Sequence, residues 1–411
     1  MPRARRQKFT LESVALRCLG DNPKLGEQMA IQNPKSKIQN PIRMAFVMEQ
    51  HSGLRTQYFN WRAIVEQEEQ IQAKFIPIVY HDKKYFLEKF SFLPKTLRAI
   101  GNSYALIKNG LGNEKYDILL YNTFNPAVTY QKPMLRQPTF LMYDVTPKQY
   151  DTMSKWYWGT EAPSQTTLIA KWKHNQVKKT FQAATGHLCW SNWAAKSAVE
   201  DYGVDPKKIS ILPPGVDTNI WKPEPQMRPN DGITRILFTG GNFERKGGDL
   251  LLRWAKETKQ KNWELHLVTI DTIDPIPQVF VYNNIDSNSN TLRQLAQKCE
   301  MFVLPTRADC FSIASLEAMS AGLPVIVSDV GGISDIVQEE KTGFLIPPDD
   351  YEALCERMDR LINSQYLREK MGNLGRERVC QHFELRNLVL KGLEIMMEKS
   401  KCHLSLNQNQ K

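Results

Sequence analysis

The chain has 411 residues, of which 41% are hydrophobic and 24% are charged, and these proportions are typical of a globular protein with room for two domains. No apolar run reaches the roughly 18 residues that a membrane-spanning helix needs, so none is predicted. The seven histidines show no HxH, HxxxH or HExxH spacing and no Asp-x-Asp occurs, so neither a zinc site nor a metal held by paired aspartates is predicted.

The net charge of +10 is unevenly distributed along the chain. Residues 1–43 contain nine basic and three acidic residues, and they lack the apolar core of a signal peptide. Within this segment Ile31–Pro34 is repeated as Ile38–Pro41. Polar repeats of this kind bury too little apolar surface to fold. We therefore predict a disordered basic extension over residues 1–43 and hypothesise that Met44 is the natural start.

This charge distribution bears on partners and compartment. Basic chains often bind nucleic acid or anionic membranes. Because most of the excess charge lies in the extension, no nucleic-acid partner is predicted; the alternative, nucleic-acid binding through the extension, would be lost in a chain that starts at Met44. The seven cysteines are scattered without a CxxC pair, which is usual for a reducing compartment, so a cytoplasmic location is expected.

From Met44 to Ile220 short apolar runs alternate with segments of helical periodicity, which favours a doubly wound parallel sheet. We predict a first α/β domain over residues 44–220, with Gly53 near the centre of its first loop. The predicted strands are Met44–Met48, Ala73–His81, Tyr116–Thr123, Pro138–Asp144, His187–Ser191 and Lys208–Asp217. The predicted helices are Gln57–Glu69, Tyr85–Lys108, Lys171–Ala184 and Asn192–Tyr202.

A cluster of prolines with Gly and Asn predicts an interdomain linker over residues 221–232, followed by a second α/β domain over residues 233–385. A C-terminal helix over residues 386–400 is expected to cross back to the first domain, and residues 401–411 are expected to fray. The second domain's predicted strands are Arg235–Gly241, Glu264–Ile270, Val279–Ile285, Met301–Thr306, Pro324–Asp329 and the short run after Gly343. Its predicted helices are Gly247–Lys259, Ser312–Ser320 and two within Tyr351–Phe383.

Two carboxylates mark the segment Asp309–Asp349. Asp309 follows a buried strand, and Glu317 lies eight positions later on the next helix. A carboxylate at the mouth of a parallel sheet faces the crevice where ligands of open α/β sheets bind, and it can hydrogen-bond to the vicinal hydroxyls of a ribose. The alternative is that Glu317 is a solvated helix residue and Asp309 a charge favoured by the helix dipole.

A glycine-rich turn forms the second informative segment, GGNFERKGGDLLL. Gly240 and Gly241 follow a strand and let the backbone approach a ligand closely. Arg245 and Lys246 lie just before a helix start, where backbone N–H groups already favour an anion. The turn is neither a Walker loop nor a Rossmann GxGxxG. A guanidinium and an ammonium here suit a diphosphate, whereas the alternative is a solvated basic helix start.

Taken together, RILFTGG–FERKGGDLLL, FVLPT–DCFSIASLEAMSAGLPVIVSDVGGISDIV and TGFLIPPDD resemble the donor-nucleotide domain of retaining glycosyltransferases of family four, which have the GT-B fold of two Rossmann-like domains facing a cleft. The upstream PPGVDTNIWKP is similar to the family's junction into that domain. The resemblance covers about residues 44–400 and is strongest in the second half.

The resemblance implies roles for the acidic and basic pairs. Glu317 takes the place of the family's ribose-binding Glu, and Asp309 that of the Glu that contacts the transferred sugar. Asp309 is one methylene shorter, which bears on sugar specificity. Arg245 and Lys246 match the pair that binds the donor diphosphate and stabilises the leaving group. Gly241 departs from the Arg that many relatives carry after the first Gly.

Further positions are implied in both domains. The loop Phe311-Ser312-Ile313 corresponds to the family's loop whose backbone amides face sugar and phosphate, and Gly53 lies in the loop that approaches the donor phosphate and the acceptor. The family often has a His after the fourth strand, where this chain reads LMYDVTP. Tyr143 or Asp144 takes its place, and Asp144 is favoured as an acceptor- or sugar-facing group. The alternative for Asp144 is an ordinary turn cap.

The resemblance implies transfer of a sugar from a nucleotide diphosphate-sugar, of UDP or GDP type, to a hydroxyl acceptor with retained configuration and without a metal cofactor. The acceptor class stays open between a glycan, a lipid-linked molecule and a small molecule. Competing functions are a sugar-nucleotide 2-epimerase and a non-catalytic nucleotide-sugar or glycan binder.

Aromatic and basic residues alternate in three first-domain segments, Lys89–Gly101, Ser154–Gly159 and Lys171–Lys179. They indicate either a peripheral contact with the inner face of the membrane or ordinary helices with snorkelling lysines and buried rings.

Overall fold

A computed structural model describes residues 40–50, 53–82, 84–93, 95–135, 137–162, 166–287 and 289–408. Residues 1–39 of the predicted extension lie outside this set, so its disorder and the start at Met44 stay predictions. The first strand begins at Ile42, two residues before the predicted domain boundary. Its early start has a local cause, because the backbone N–H of Arg43 donates to Asp117 Oδ2 (2.8 Å) and the Arg43 carbonyl accepts from the N–H of Asp117 (2.8 Å).

The first half of the chain forms a six-stranded parallel sheet in the order β2-β1-β3-β4-β5-β6. The strands β3, β4 and β5 are buried along their whole length, as expected for a parallel sheet covered on both faces. The strands are β1 Ile42–Glu49, β2 Ile71–Ile78, β3 Ile118–Tyr121, β4 Thr139–Tyr143, β5 Gly186–Cys189 and β6 Ile209–Ile211. The helices are α1 Gly53–Val65, α2 Lys95–Leu111, α3 Phe124–Thr129, α4 Pro147–Thr152, α5 Ser154–Trp158, α6 Leu168–Ala183 and α7 Asn192–Glu200.

The second half forms another six-stranded parallel sheet, in the order β12-β11-β10-β7-β8-β9. Its strands are β7 Thr234–Thr239, β8 Trp263–Val268, β9 Val279–Tyr282, β10 Met301–Leu304, β11 Val325–Ser328 and β12 Gly343–Ile346. Its helices are α8 Gly248–Glu257, α9 Asn290–Lys298, α10 Ile313–Ser320, α11 Tyr351–Ile362, α12 Gln365–His382 and α13 Leu385–Gln408.

Several predicted bounds need correction. Strand β6 ends at Ile211 rather than at Asp217, because Pro213 and Pro214 have no N–H for a ladder. The predicted frayed tail from residue 401 is wrong up to Gln408, because no Gly or Pro follows Ser400 to interrupt the helix backbone. Helix α9 was not predicted at all, although Ser289 caps its N-terminus and Leu292 and Leu295 form its buried face.

The predicted linker also begins inside packed structure. Trp221 is buried, and its carbonyl accepts hydrogen bonds from Ser320 Oγ (2.5 Å) and Arg376 Nη1 (2.7 Å). These two partners belong to α10 and α12, so the chain is already fixed to the second domain's helices at residue 221.

Helix α13 packs on the first sheet although it follows the second in sequence. Gly392 lies where a Cβ atom would come within 2.8 Å of Trp61 and Leu212, and Lys399 Nζ donates to the carbonyls of Lys207 (3.1 Å) and Lys208 (3.0 Å). The two chain segments that pass between the sheets are paired: Val216 N–H donates to the Phe383 carbonyl (2.9 Å), and Leu385 N–H donates to the Val216 carbonyl (3.1 Å). Among the described residues, no helix is long and apolar enough to cross a bilayer.

Candidate active site

The candidate site lies at the carboxyl ends of β7 and β10, which are neighbours in the second sheet with Phe302 opposite Leu237. The glycine-rich turn leaves β7 after Thr239 and ends at the N-terminus of α8. Gly247 lies in this turn with φ +76°, and a Cβ atom there would come within 1.9 Å of the Pro305 carbonyl oxygen. Only glycine meets both constraints, so the turn is held against the loop that follows β10.

Lys246 and Asp309 form an ion pair across this junction. Their side chains are only 16% and 9% exposed, so the pair is largely shielded from water. The family resemblance implies a diphosphate as the partner of Lys246 and a sugar as that of Asp309; the structure pairs these two side chains with each other. An anionic ligand at the turn therefore competes with Asp309 for the ammonium group.

Arg245 lies on the same turn, and its guanidinium is only partly engaged. Its Nη1 donates to the Ala308 carbonyl (2.6 Å) and lies 3.4 Å from the hydroxyl of Tyr157, a first-domain residue on α5. Its Nε and Nη2 have no hydrogen-bond acceptor in the part of the chain that the structure describes. Its backbone is fixed, because the Arg245 carbonyl accepts from the N–H of Arg307 (2.8 Å). Two donor groups are thus left for a ligand on a fixed backbone.

Sequence reasoning missed Arg307 as a residue that stabilises the turn. Its guanidinium donates to both carboxylate oxygens of Asp249 (2.6 and 2.7 Å). It also donates to Asp349 Oδ1 and to the Glu244 carbonyl, each at 2.5 Å. These bonds tie the glycine-rich turn and the start of α8 to the loop after β10. The signal in the sequence was an Arg in a short polar loop, and nothing in the spacing identified its partners.

Glu317 lies on α10 beside a small cavity between the helices and the sheet. Burial raises the pKa of Glu317 to about 8, a shift that the charge of Arg293 only partly offsets. The carboxyl group is therefore mostly protonated at neutral pH and offers one donor and one acceptor. The cavity's other lining residues include Trp221, Leu237, Thr239, Leu292, Phe302 and Ala314.

The cavity and the cationic turn adjoin. Thr239 lines the cavity, the next residue is Gly240, and a Cβ atom on Gly240 would lie 2.9 Å from Lys246 Cβ. Gly240 therefore packs directly on the Lys246 side chain. Gly241 is exposed, and a Cβ atom there would meet nothing within 4 Å.

The raised pKa of Glu317 predicts a pH-dependent stability difference for Glu317→Gln. The folded pKa of about 8 exceeds the ordinary value of 4.5, so the stabilisation from binding this proton is complete below pH 4.5 and is lost as pH rises through 8. Glu317→Gln should therefore gain stability relative to the parent from pH 5 to pH 8, at up to about 1.4 kcal/mol per pH unit. Urea unfolding at pH 5, 6, 7 and 8 measures the difference. A pH-independent difference, or one that equals that of the exposed control Glu394→Gln, contradicts it.

The loop Phe311-Ser312-Ile313 contacts the first domain. Phe311 is buried with its ring edge-on to Trp190 (6.0 Å between centroids). Gly53 is the first residue of α1 and does not lie near the centre of a loop as predicted, because the helix begins four residues before the predicted start at Gln57. A Cβ atom on Gly53 would lie 3.4 Å from Ile313 Cδ1, so the start of α1 meets the start of α10. The Ser312 side chain caps α10 by accepting from the Ser315 N–H (3.2 Å), which leaves only its backbone for the role that the resemblance implies.

Tyr143 and Asp144 are separated by the end of β4. Tyr143 is buried, and its hydroxyl hydrogen-bonds to His187 Nδ1 (2.9 Å), so it is not the group that faces the ligand. Asp144 follows Tyr143 in sequence. Burial is the main cause of the raised pKa of the Cys310 thiol, and the negative charge of Asp144 raises it further, which indicates that Asp144 lies near this second-domain residue. Cys310 is the neighbour of Asp309. The structure thus brings Asp144 close to the Asp309 loop.

The aromatic segment Ser154–Gly159 partly faces the second domain. Trp156 lies over the Arg307 guanidinium (5.1 Å to the ring centroid) and Tyr157 over that of Arg245 (4.5 Å), whereas Trp158 is 69% exposed. Two of its three rings therefore contact cations of the second domain. Among the described residues, no group of three His, Cys, Asp or Glu side chains is placed to hold a metal ion.

Comparison with solved structures identifies the class of fold. The chain superposes on a sucrose-phosphate synthase from Thermosynechococcus elongatus with a TM-score of 0.68 at 17% identity, over 87% of this chain and 98% of that one. It superposes on the Anabaena protein HepE, solved with UDP-glucose, with a TM-score of 0.63 at 15% identity, over 87% of this chain and 100% of that one. The predicted GT-B fold of two Rossmann-like domains is confirmed.

Family models identify the group. Residues 220–378 match the Glycosyl transferases group 1 model, and residues 62–220 match the Glycosyltransferase Family 4 model. The chain therefore belongs to the group 1, family four glycosyltransferases.

Curated relatives match over part of their length. The chain is 24% identical to the MMP alpha-(1->4)-mannosyltransferase of Mycolicibacterium hassiacum over 56% of this chain and 58% of the relative. It is 38% identical to the capsular polysaccharide biosynthesis glycosyltransferase CapM of Staphylococcus aureus over 41% of this chain and 46% of the relative. These matches span about half of each relative's length.

Proposed function

We propose that this chain is a retaining glycosyltransferase of the hexosyl type, which moves a sugar from a nucleotide diphosphate-sugar to a hydroxyl group of a glycan, lipid-linked or small-molecule acceptor. One observation carries the proposal: the Arg245–Lys246 turn and the Glu317 cavity adjoin beside β7, a central strand of the second sheet. Cations at one end and a polar carboxyl group at the other complement a nucleotide diphosphate, which has phosphates at one end and a ribose diol at the other.

The nucleotide half of the donor is held by three groups in this proposal. The free Nε and Nη2 donors of Arg245 bind the diphosphate, and Lys246 exchanges Asp309 for a phosphate oxygen. The protonated carboxyl group of Glu317 donates to one ribose hydroxyl and accepts from the other. Both cations lie on a turn fixed by Arg307, so the turn itself need not rearrange on binding, and the main change is the release of Lys246 from Asp309.

The sugar half meets the two aspartates. Asp309, once released from Lys246, accepts hydrogen bonds from the transferred sugar, and Asp144 faces the sugar or the acceptor. The bond between the anomeric carbon and the diphosphate oxygen breaks while the acceptor oxygen bonds to the same face. The acceptor's proton passes to the departing diphosphate, whose negative charge Arg245 and Lys246 stabilise. Side chains carry the leaving-group charge, so metal independence stays a prediction of this scheme.

A donor panel tests the proposed function. Purified protein is incubated with UDP- and GDP-sugars, with and without EDTA, and released nucleotide is measured. At least one donor should be turned over slowly by water and faster with a hydroxyl acceptor, with activity unchanged by EDTA. The product's anomeric configuration, read by NMR, reports retention. Binding without turnover across the panel would favour the non-catalytic alternative, and formation of a C2 epimer would favour the epimerase.

Peripheral membrane contact is a further part of the proposal, supported by exposed apolar side chains beside lysines on α6. Leu168, Ile169 and Trp172 are 85%, 69% and 61% exposed, and Lys171 and Lys173 lie among them. We expect flotation with anionic but not with neutral liposomes, and Trp172→Ser should reduce it. Equal recovery with both vesicle types contradicts the contact. The predicted cytoplasmic location agrees with a contact at the inner membrane face.

A further inference from the structure

We propose that Tyr157 is a positioning residue for Arg245, so that the first domain sets the orientation of the Arg245 guanidinium in the second. This inference rests on the proposed function, since it gives the Arg245 side chain a diphosphate to bind. The starting observation is a contact between residues 88 positions apart, in which the Arg245 guanidinium lies over the Tyr157 ring at 4.5 Å from its centroid.

The two arginines next to the turn differ in how firmly their own domain holds them. Arg307 donates to Asp249, Asp349 and the Glu244 carbonyl, so its orientation is fixed by its own domain without Trp156. Arg245 has a single short side-chain hydrogen bond in its own domain, from Nη1 to the Ala308 carbonyl (2.6 Å). One bond at one nitrogen leaves the guanidinium plane free to rotate, whereas a ring against its face restricts that rotation.

The Tyr157 ring is itself held from both sides of the junction. It packs on Tyr150 of α4 at 4.7 Å between centroids, and its hydroxyl lies 3.8 Å from Cys310 Sγ of the second domain. Helix α4 begins with a capping box between Thr146 and Gln149, and it is fixed to α7 because Gln149 Nε2 donates to the Trp193 carbonyl (2.7 Å). The ring is therefore a fixed surface, and contact between a cation and an aromatic face is attractive, more so when water is excluded.

The chemical consequence concerns the two free Arg245 donors. Their direction is set by the plane of the guanidinium, and a fork-shaped group stabilises a diphosphate only when both N–H bonds point at its oxygens. Negative charge on the leaving group grows in the transition state, so loss of this orientation should appear in kcat more than in the KM for the donor.

Steady-state turnover of the full chain, with whichever donor the panel identifies, tests the inference. Tyr157→Met keeps an apolar side chain but removes the ring, and we expect kcat to fall at least tenfold with KM changed less than threefold. Tyr157→Phe keeps the ring and should stay within threefold of the parent. Trp158→Leu, on the same helix but exposed, is the matched control and should not change turnover. Tyr157→Leu replaces Tyr157→Met should the latter not fold.

A double-mutant comparison separates positioning from packing. In the Arg245→Lys background, whose ammonium has no plane to orient, Tyr157→Met should reduce kcat less than twofold further. An equal reduction in both backgrounds, or a folded Tyr157→Met variant with kcat within twofold of the parent, overturns the inference. Absence of turnover by the parent chain with every donor would instead count against the proposed function, so the two failures are distinguishable.

Discussion

Lys246→Ala is expected to reduce turnover of the nucleotide-sugar by at least a hundredfold. The ammonium group is placed to stabilise the charge that develops on the departing diphosphate, and loss of one such contact typically costs about 3–4 kcal/mol. The measurement is kcat/KM for nucleotide release with the donor identified in the panel. Lys256→Ala, an exposed lysine on α8, is the matched control and should leave turnover unchanged.

The same substitution also leaves Asp309 without its ion-pair partner. Asp309 would lose its ion-pair partner in a site that is 9% exposed, so Lys246→Ala should also lower the free energy of unfolding, by about 3 kcal/mol. Combining it with Asp309→Asn should restore most of the stability but not the turnover. This pair of results separates catalysis from folding. Near-parental turnover in Lys246→Ala would remove the proposed mechanism.

Gly247→Ala should have the largest effect on stability of any single methyl addition in the turn. A left-handed backbone costs a non-glycine residue about 1–2 kcal/mol, and the new Cβ atom would in addition overlap the Pro305 carbonyl oxygen at 1.9 Å. We expect a loss of at least about 3 kcal/mol in the free energy of unfolding. Urea unfolding followed by tryptophan fluorescence measures it.

Two other glycines separate the cost of a left-handed backbone from the cost of the Cβ overlap. Gly232 has φ +75° but open space around it, so Gly232→Ala should cost only the left-handed backbone, about 1–2 kcal/mol. Gly241 has neither constraint, so Gly241→Ala should change the free energy of unfolding by less than about 0.5 kcal/mol. If the three variants were equally stable, the turn would not be held by contact with the loop after β10.

The order of strands and helices could be predicted because local physics sets it. Buried apolar runs such as Met301–Leu304 become parallel strands, and Ser312 caps the helix that carries Glu317. The ends were less predictable, because they depend on single residues: Pro213 stops β6 early, and the absence of a breaker after Ser400 extends α13.

The parts of the site that escaped prediction are contacts between distant segments. The pattern placed Lys246 and Asp309 at the mouth of one sheet, but not in an ion pair with each other. It gave no partner for Arg307, whose aspartates lie 58 and 42 positions away. The contact of Tyr157 with Arg245 joins two domains, and no periodicity in the sequence indicates it. The ligand roles of the site residues stay predictions.

The paired chain crossings at Val216 and Phe383–Leu385 have a mechanical consequence. Because the two crossing segments are joined by backbone hydrogen bonds, we expect any rotation of one domain against the other to bend both segments together. Bending of both segments together would return the Tyr157 ring of the first domain to the same Arg245 guanidinium each time the domains approach.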